Sequence, residues 1–326
     1  MSAQSSSISG TKNGRGRLNP AVILFILLFL GAALVLWLHK NLEIGETIVG
    51  LVLFVVVFPA IAWFTTRRAQ PLEVAPPSDS RELWLALGLV VALAIYLING
   101  PQLVDQLLPR AWSDSARIHF LVVLAKKLIV FVTVPFALYR FLFGHRLRDF
   151  GIQIEGLRAM TRGHLPVILA VGGGFVLFQY FLGGAAAPVR QEKFSAHQLL
   201  VGLPLCFVWL SVEAGLVEEF FFRAVVQSRF AAWLKSDVGG VALMALVFGL
   251  AHAPGMIFRH AGEVEGLGAN PSALDAIAYS IVTLAVSGIV FGVLWVRTKN
   301  LATLICIHAA ADLLPNFSDF VRTWQI

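Results

Sequence analysis

The stretch "GLVEEFFFRAVV", Gly215–Val226, sets two adjacent carboxylates, Glu218 and Glu219, and an arginine, Arg223, among apolar residues. The run before it, "LLVGLPLCFVWL", is apolar enough for the middle of a bilayer. Ionisable groups at such a depth are costly, so each one calls for a partner or a task. Glu219 and Arg223 stand at i and i+4, share a helix face and can pair, which relieves the cost of burying the arginine. Glu218 is turned about 100° away on the same helix and is left without a partner there.

The rest of the chain fits a membrane setting. Of 326 residues, 58% are hydrophobic and only 13% charged, about half the ~25% usual in soluble domains. Mean hydropathy is +0.79. The expected fold is all-α, a polytopic transmembrane bundle of about eight or nine helices. Apolar segments run near 20–39, 45–64, 83–99, 118–143, 164–182, 203–232, 238–253, 274–296 and 300–314. The seventh and ninth look short for a full crossing, and the sixth is long enough to tilt or extend beyond the bilayer. The two cysteines, Cys206 and Cys306, lie in apolar segments and read as core residues, not a disulfide framework. No HExxH, P-loop, CxxC or GxGxxG pattern is present.

Six regions follow from this pattern. Residues 1–19 form a basic, Ser/Gly-rich tail, and 20–69 two accessory helices. Residues 70–82 form a Pro/Ser-rich linker, and 83–197 the first helices of the main bundle. The ionisable core spans 198–314, and 315–326 is a C-terminal tail. The net charge of +6 comes from Lys and Arg in short loops, with no soluble basic domain of the kind that binds nucleic acid. Alternating the loops puts Arg67, Arg68, Arg140, Arg146, Arg148, Arg158, Arg162, Arg229, Lys235, Arg297 and Lys299 on one side with the basic N-terminal tail. The positive-inside rule makes that side cytoplasmic, for an integral multi-pass protein of the inner or plasma membrane.

The candidate chemistry lies in the last third. His252 closes the seventh segment in "FGLAHAP", and Pro254 is expected to end the helix there, leaving a C-terminal dipole that suits a positive imidazole. His308 and Asp312 stand at i and i+4 in "IHAAADLL". One carboxylate and two imidazoles around a point can polarise a water, with Glu218 as general base. They can also hold a divalent metal such as Zn2+ through Glu218, His252 and His308. Both arrangements lead to hydrolysis, and the residue pattern leaves a metal or none open. Glu213 has no evident partner. Gly288 and Gly292 form a GxxxG of the kind that lets helices approach closely. The same cluster would also serve a proton- or metal-coupled transporter as a relay, or persist unused in a non-catalytic membrane or immunity scaffold.

In order along the chain, "EEFFFR" (218–223), "FGLAH" (248–252) and "HAAAD" (308–312) resemble the EExxxR, FxxxH and Hxxx(N/D) motifs of the CPBP intramembrane protease family, also called the Abi or CAAX prenyl protease type II family. "LRDFGIQI" (147–154) is similar to a lead-in found before that family's core helices. The resemblance implies an intramembrane endopeptidase acting on a protein or peptide substrate at the bilayer. It implies catalytic roles for Glu218 as water-activating base, for His252 and His308 around the water and oxyanion, and for Asp312 in holding the site. Glu219 and Arg223 are implied as a structural ion pair. It allows both a metalloprotease and a metal-free glutamate mechanism. Asp312 at an Asn/Asp position adds negative charge near Glu218 and calls for a cation or an imidazolium nearby.

Overall fold

A computed structural model describes residues 19–326 except 78, 108, 110, 111, 113, 114, 258–266 and 268–270; the 1–19 tail lies outside it but for Asn19. The described residues contain helices and no strand. Besides short helical segments at Leu147–Phe150, Ile154–Ala159 and Met160–His164, the helices are α1 (Pro20–Lys40), α2 (Ile44–Thr66), α3 (Ser80–Leu107), α4 (Ala116–Phe143), α5 (Leu165–Phe181), α6 (Gly184–Gln191), α7 (Gln198–Leu234), α8 (Asp237–Ile257), α9 (Ala273–Thr298) and α10 (Leu301–Trp324). Among the described residues eight are long and apolar enough to cross a membrane, and α5 with α6, bent by 75°, forms a broken span or a re-entrant loop. The chain is an all-α polytopic bundle.

Local chemistry sets many of the helix ends. Asn19 accepts from Ala21 N at 2.9 Å with Pro20 at the first helical position, and α1 stops at Asn41 in the left-handed region. Gly144, with φ 76°, ends α4. Ser272 and Asp275 form a capping box at the start of α9. Asn300 Oδ1 caps α10 by accepting from Ala302 N and Thr303 N.

Two expectations are corrected. α8 runs through Pro254 to Ile257, so His252 is an interior helical residue and does not occupy a helix end. α10 continues through Pro315 to Trp324, so 315–326 is mostly helix and not a tail. Both segments are therefore long enough for a crossing. Proline removes one intrahelical bond and crowds the preceding turn, but in α10 burial outweighs that loss. Leu314, Phe317, Phe320 and Val321 are buried, the last three in a cluster with Cys206 and Leu210. Arg117 of α4 then donates to the carbonyls of Thr323 and Trp324 at the helix end.

Side-chain and loop contacts define two ends of the bundle. At the basic end Leu72 N donates to Thr298 O, Leu301 N to Gly151 O, and Arg297 to Thr66. Arg229, read from sequence as a loop cation, is instead buried there: its Nη2 and Nε donate to Glu82 Oε2 at 2.9 and 3.2 Å, and His145 Nε2 lies 3.0 Å from the same oxygen. Tyr139 lies under the guanidinium and donates to the Glu82 carbonyl. At the far end Arg117 meets the end of α10, and Arg190 caps α5 through the carbonyls of Gln179, Tyr180 and Gly183. α1 packs on α8 and α9, and α2 on α9 and α5, so the first two helices rest directly on the motif-bearing part of the bundle. Gly288 faces α8, where a Cβ would stand 3.3 Å from the Ala245 Cα.

Candidate active site

α7 carries Glu218 at the junction of two π-helical stretches, Ser211–Leu216 and Glu219–Gln227. Such stretches widen a helix, change which residues share its face, and occur often at functional sites. Here the two glutamates diverge. Glu219 points into the core and is fully buried, as is Arg223; Glu218 faces α8 and α10 at the edge of the buried region.

The structure brings Glu218, His252 and His308 together from three helices. Glu218 Oε2 stands 3.9 Å from His252 Nε2 and 3.7 Å from His308 Nε2. These separations exceed a direct hydrogen bond and suit a bridging water. His252 Nδ1 donates to Phe248 O at 2.8 Å, which turns Nε2 toward Glu218. His308 Nδ1 lies 2.7 Å from Glu219 Oε1, which fixes the proton on Nδ1 and leaves Nε2 facing Glu218 and, at 3.4 Å, Asp312 Oδ2. The tautomers follow from these hydrogen bonds. Each ring is packed on an aromatic neighbour, His252 on Phe248 and His308 on Phe291, at centroid distances of 4.8 and 4.9 Å.

Glu219 has two partners where the sequence offered one. Its Oε2 lies 3.4 Å from Arg223 Nε, but its short contact is to His308. The guanidinium makes no hydrogen bond among the described residues and stands 4.5 Å from the centre of the Phe248 ring, with Phe291 and Phe222 further out. A cation on aromatic faces is stabilised by their quadrupoles, so Phe222 of the triple-Phe run packs in the core and also touches the arginine.

Sequence reasoning missed Lys127. Its ammonium pairs with Glu213, the glutamate that had no evident partner, and lies within electrostatic reach of Glu218 and Asp312. The signal was available: "AKK" (125–127) interrupts the fourth apolar segment, and an intramembrane lysine calls for an acidic partner.

Three ligands of one tetrahedral zinc at 2.0–2.2 Å stand roughly 3.3 Å from one another, closer than the 3.7 and 3.9 Å found around Glu218. Among the described residues no group of three or more His, Cys, Asp or Glu has ligand spacing. As the side chains stand, they fit a water better than a metal.

The arrangement is a carboxylate and two oriented imidazoles at one point, backed by a second carboxylate and a buried cation. It can activate water against a carbonyl. No match was found among curated proteins or among solved structures. Residues 200–314, which include Glu218, His252 and His308, match the model of the family described as Type II CAAX prenyl endopeptidase Rce1-like.

Proposed function

We propose that the protein is an intramembrane endopeptidase that hydrolyses a peptide bond with Glu218 as the water-activating base. The observation that carries this is the position of Glu218 Oε2 between two imidazole Nε2 atoms at 3.7 and 3.9 Å. A water held there gives its proton to Glu218 while its oxygen attacks the carbonyl carbon. The electron pair of the C=O bond moves to the carbonyl oxygen, and a protonated Nε2 on His308 or His252 donates to that oxyanion. On collapse the C–N bond breaks, and Glu218 passes its proton to the leaving amine. One water is consumed and one acid and one amine are formed.

The other polar residues prepare this step. Glu219 holds the His308 tautomer, Arg223 balances Glu219, and Asp312 holds the outer nitrogen of His308 until the carbonyl arrives. By the positive-inside rule the basic end faces the cytoplasm, with the N-terminus on the same side, in an inner or plasma membrane.

CAAX-type processing of a lipidated protein is the first substrate class to test. The assay uses the full chain in proteoliposomes and a quenched fluorogenic peptide ending in a farnesylated CAAX motif, beside an unprenylated copy. Glu218→Ala is expected to lower cleavage by at least ~10²-fold, the size of a general-base effect, with insertion and protein level kept. Turnover by that variant at the wild-type rate would overturn the assignment.

A further inference from the structure

Three carboxylates lie on the less buried side of the site: Glu213, Glu218 and Asp312. Glu218 Oε2 and Asp312 Oδ2 stand 3.7 and 3.4 Å from the same atom, His308 Nε2, so the two oxygens are at most 7.1 Å apart, the two distances laid end to end. Glu213 precedes Glu218 by five residues on α7. In an α-helix that spacing turns two side chains about 140° apart. The π-helical stretch Ser211–Leu216, with its wider i→i+5 turn, brings them nearer to one face. Arg223 lies deeper, beside Glu219 and against the Phe248 ring.

The cation that meets these carboxylates comes from α4. Phe120 of α4 packs on Trp209 of α7 with ring centres 5.9 Å apart, and Phe131 on Phe221 at 5.5 Å. Eleven residues of α4 thus cover the same height as twelve of α7, so the two helices run parallel and nearly in step. Lys127, seven residues past Phe120, comes level with about residue 217, between Glu213 and Glu218. Its ammonium pairs with Glu213 and lies within electrostatic reach of Glu218 and Asp312. An asparagine at 312 would have nearly the shape of the aspartate and no charge. The aspartate is what makes a second cation necessary here.

We propose that Lys127 is a positioning residue of this site: its ammonium offsets the charge that Asp312 sets beside Glu218, and Glu213 holds the ammonium at that height. Like charges at this separation repel strongly where water is scarce. With the ammonium beside them, Glu218 keeps its place between the two imidazoles. Without it, the Glu218 carboxylate turns away from Asp312, and the water loses its base. Lys127 touches neither the water nor the scissile carbonyl in this role. The proposal rests on the protease reading above.

Removing Lys127 alone would strand Glu213, so the test variant carries Lys127→Met with Glu213→Gln, which takes away both partners of the pair. Its unfolding midpoint in detergent micelles is expected within about 8 °C of the wild type. Its kcat on the farnesylated or unprenylated reporter in proteoliposomes is expected to fall ~tenfold or more, with KM kept within about twofold. Adding Asp312→Asn is expected to bring kcat back to within about twofold of Asp312→Asn alone. Cleavage by the pair variant at the wild-type rate overturns the proposal, because the lysine then serves Glu213 alone. So does a triple variant that stays tenfold below Asp312→Asn, which would detach Lys127 from the Asp312 charge. A midpoint lowered beyond the stated range makes Lys127 a folding residue and overturns the positioning role. If wild-type protein cleaves neither reporter, the protease reading loses its support, and unfolding still decides on the charge contact. Asp312→Asn should then raise the midpoint by at least about 2 °C more in the pair variant than in the wild type; equal shifts in the two backgrounds overturn the proposal.

Discussion

Replacing Glu219 by glutamine separates the two roles that its geometry combines. One oxygen accepts from His308 Nδ1 at 2.7 Å and the other lies 3.4 Å from Arg223 Nε, all within a fully buried region. Neutralising Glu219 leaves the Arg223 guanidinium as an uncompensated buried charge, a change that costs about 3–5 kcal/mol. The low end is expected, because the existing contact is longer than a good hydrogen bond and Phe248 holds the cation as well. Glu219→Gln also weakens the hold on His308, since an amide has no charge and can present either its oxygen or its NH2 to Nδ1. Cleavage should fall by ~10²-fold through this second effect. A double variant, Glu219→Gln with Arg223→Met, removes the stranded charge and should recover stability to within about 1 kcal/mol of the wild type. Its cleavage should stay low. Thermal unfolding in detergent micelles reads the first quantity and the farnesylated reporter in proteoliposomes the second. If cleavage returns along with stability, Glu219 serves Arg223 alone and its bond to His308 has no part in the reaction.

Three further outcomes follow from contacts away from Glu218. Glu82→Ala should destabilise by about 3–5 kcal/mol, because it strands buried Arg229, and adding Arg229→Leu should restore most of the loss in the same unfolding assay. His164 lies before α5, outside the spans, where burial holds its pKa below the ordinary value and its Nδ1 lies near Thr303 Oγ1 and Asn300 Nδ2. A base with a lowered folded pKa contributes stability that is present above its unfolded pKa and lost as pH falls through the folded one. Wild-type unfolding midpoints should therefore drop below about pH 6.5 more steeply than those of His164→Gln; parallel curves would contradict this. At Gly215 a Cβ would stand 2.8 Å from the Ile305 carbonyl oxygen, so Gly215→Ala should push α7 from α10, widen the gap between Glu218 and His308, and lower cleavage at least tenfold while the protein still inserts. Unchanged cleavage would show that the helices absorb the methyl elsewhere.

Much of this architecture was legible because membrane segments carry strong local signals. Apolar length marked the helices, and Glu218, His252 and His308 stood out as ionisable groups with no local reason to be buried. The structure places all three around one point. What escaped the sequence were the direct polar contacts between distant segments. The Glu219–His308 bond joins residues 89 positions apart, whereas spacing arguments see only i, i+4 neighbours such as Arg223. Lys127 and Glu213 are 86 apart, and Glu213 alone had no evident partner. Arg229 passed for a loop cation because it ends an apolar run, and only the fold shows Glu82 reaching it. Pro254 misled for a different reason. A local rule counted the lost hydrogen bond, while α8 runs on to Ile257 with Ala253 and Met256 buried.

The division of labour between the paired glutamates then follows from packing. Adjacent residues on a helix must face different surroundings. In α7 one direction leads into a core of phenylalanines and the other toward α8 and α10. A carboxylate in the first direction is desolvated, so it needs fixed partners, and Arg223 and His308 supply them. The same low polarity strengthens its hold on the imidazole, because electrostatic contacts gain where water is excluded. A carboxylate in the second direction keeps partial contact with the open side and makes no direct hydrogen bond to either histidine, a condition that suits a group exchanging protons with water. Swapping the order, with the exposed glutamate bound to arginine and the buried one free, would bury an uncompensated charge at a cost of several kcal/mol. The sequence Glu-Glu-x-x-x-Arg thus gains its meaning from the rotation between neighbouring side chains: the second glutamate lies beside the arginine and the histidine, and the first is left available to the water of the proposed reaction.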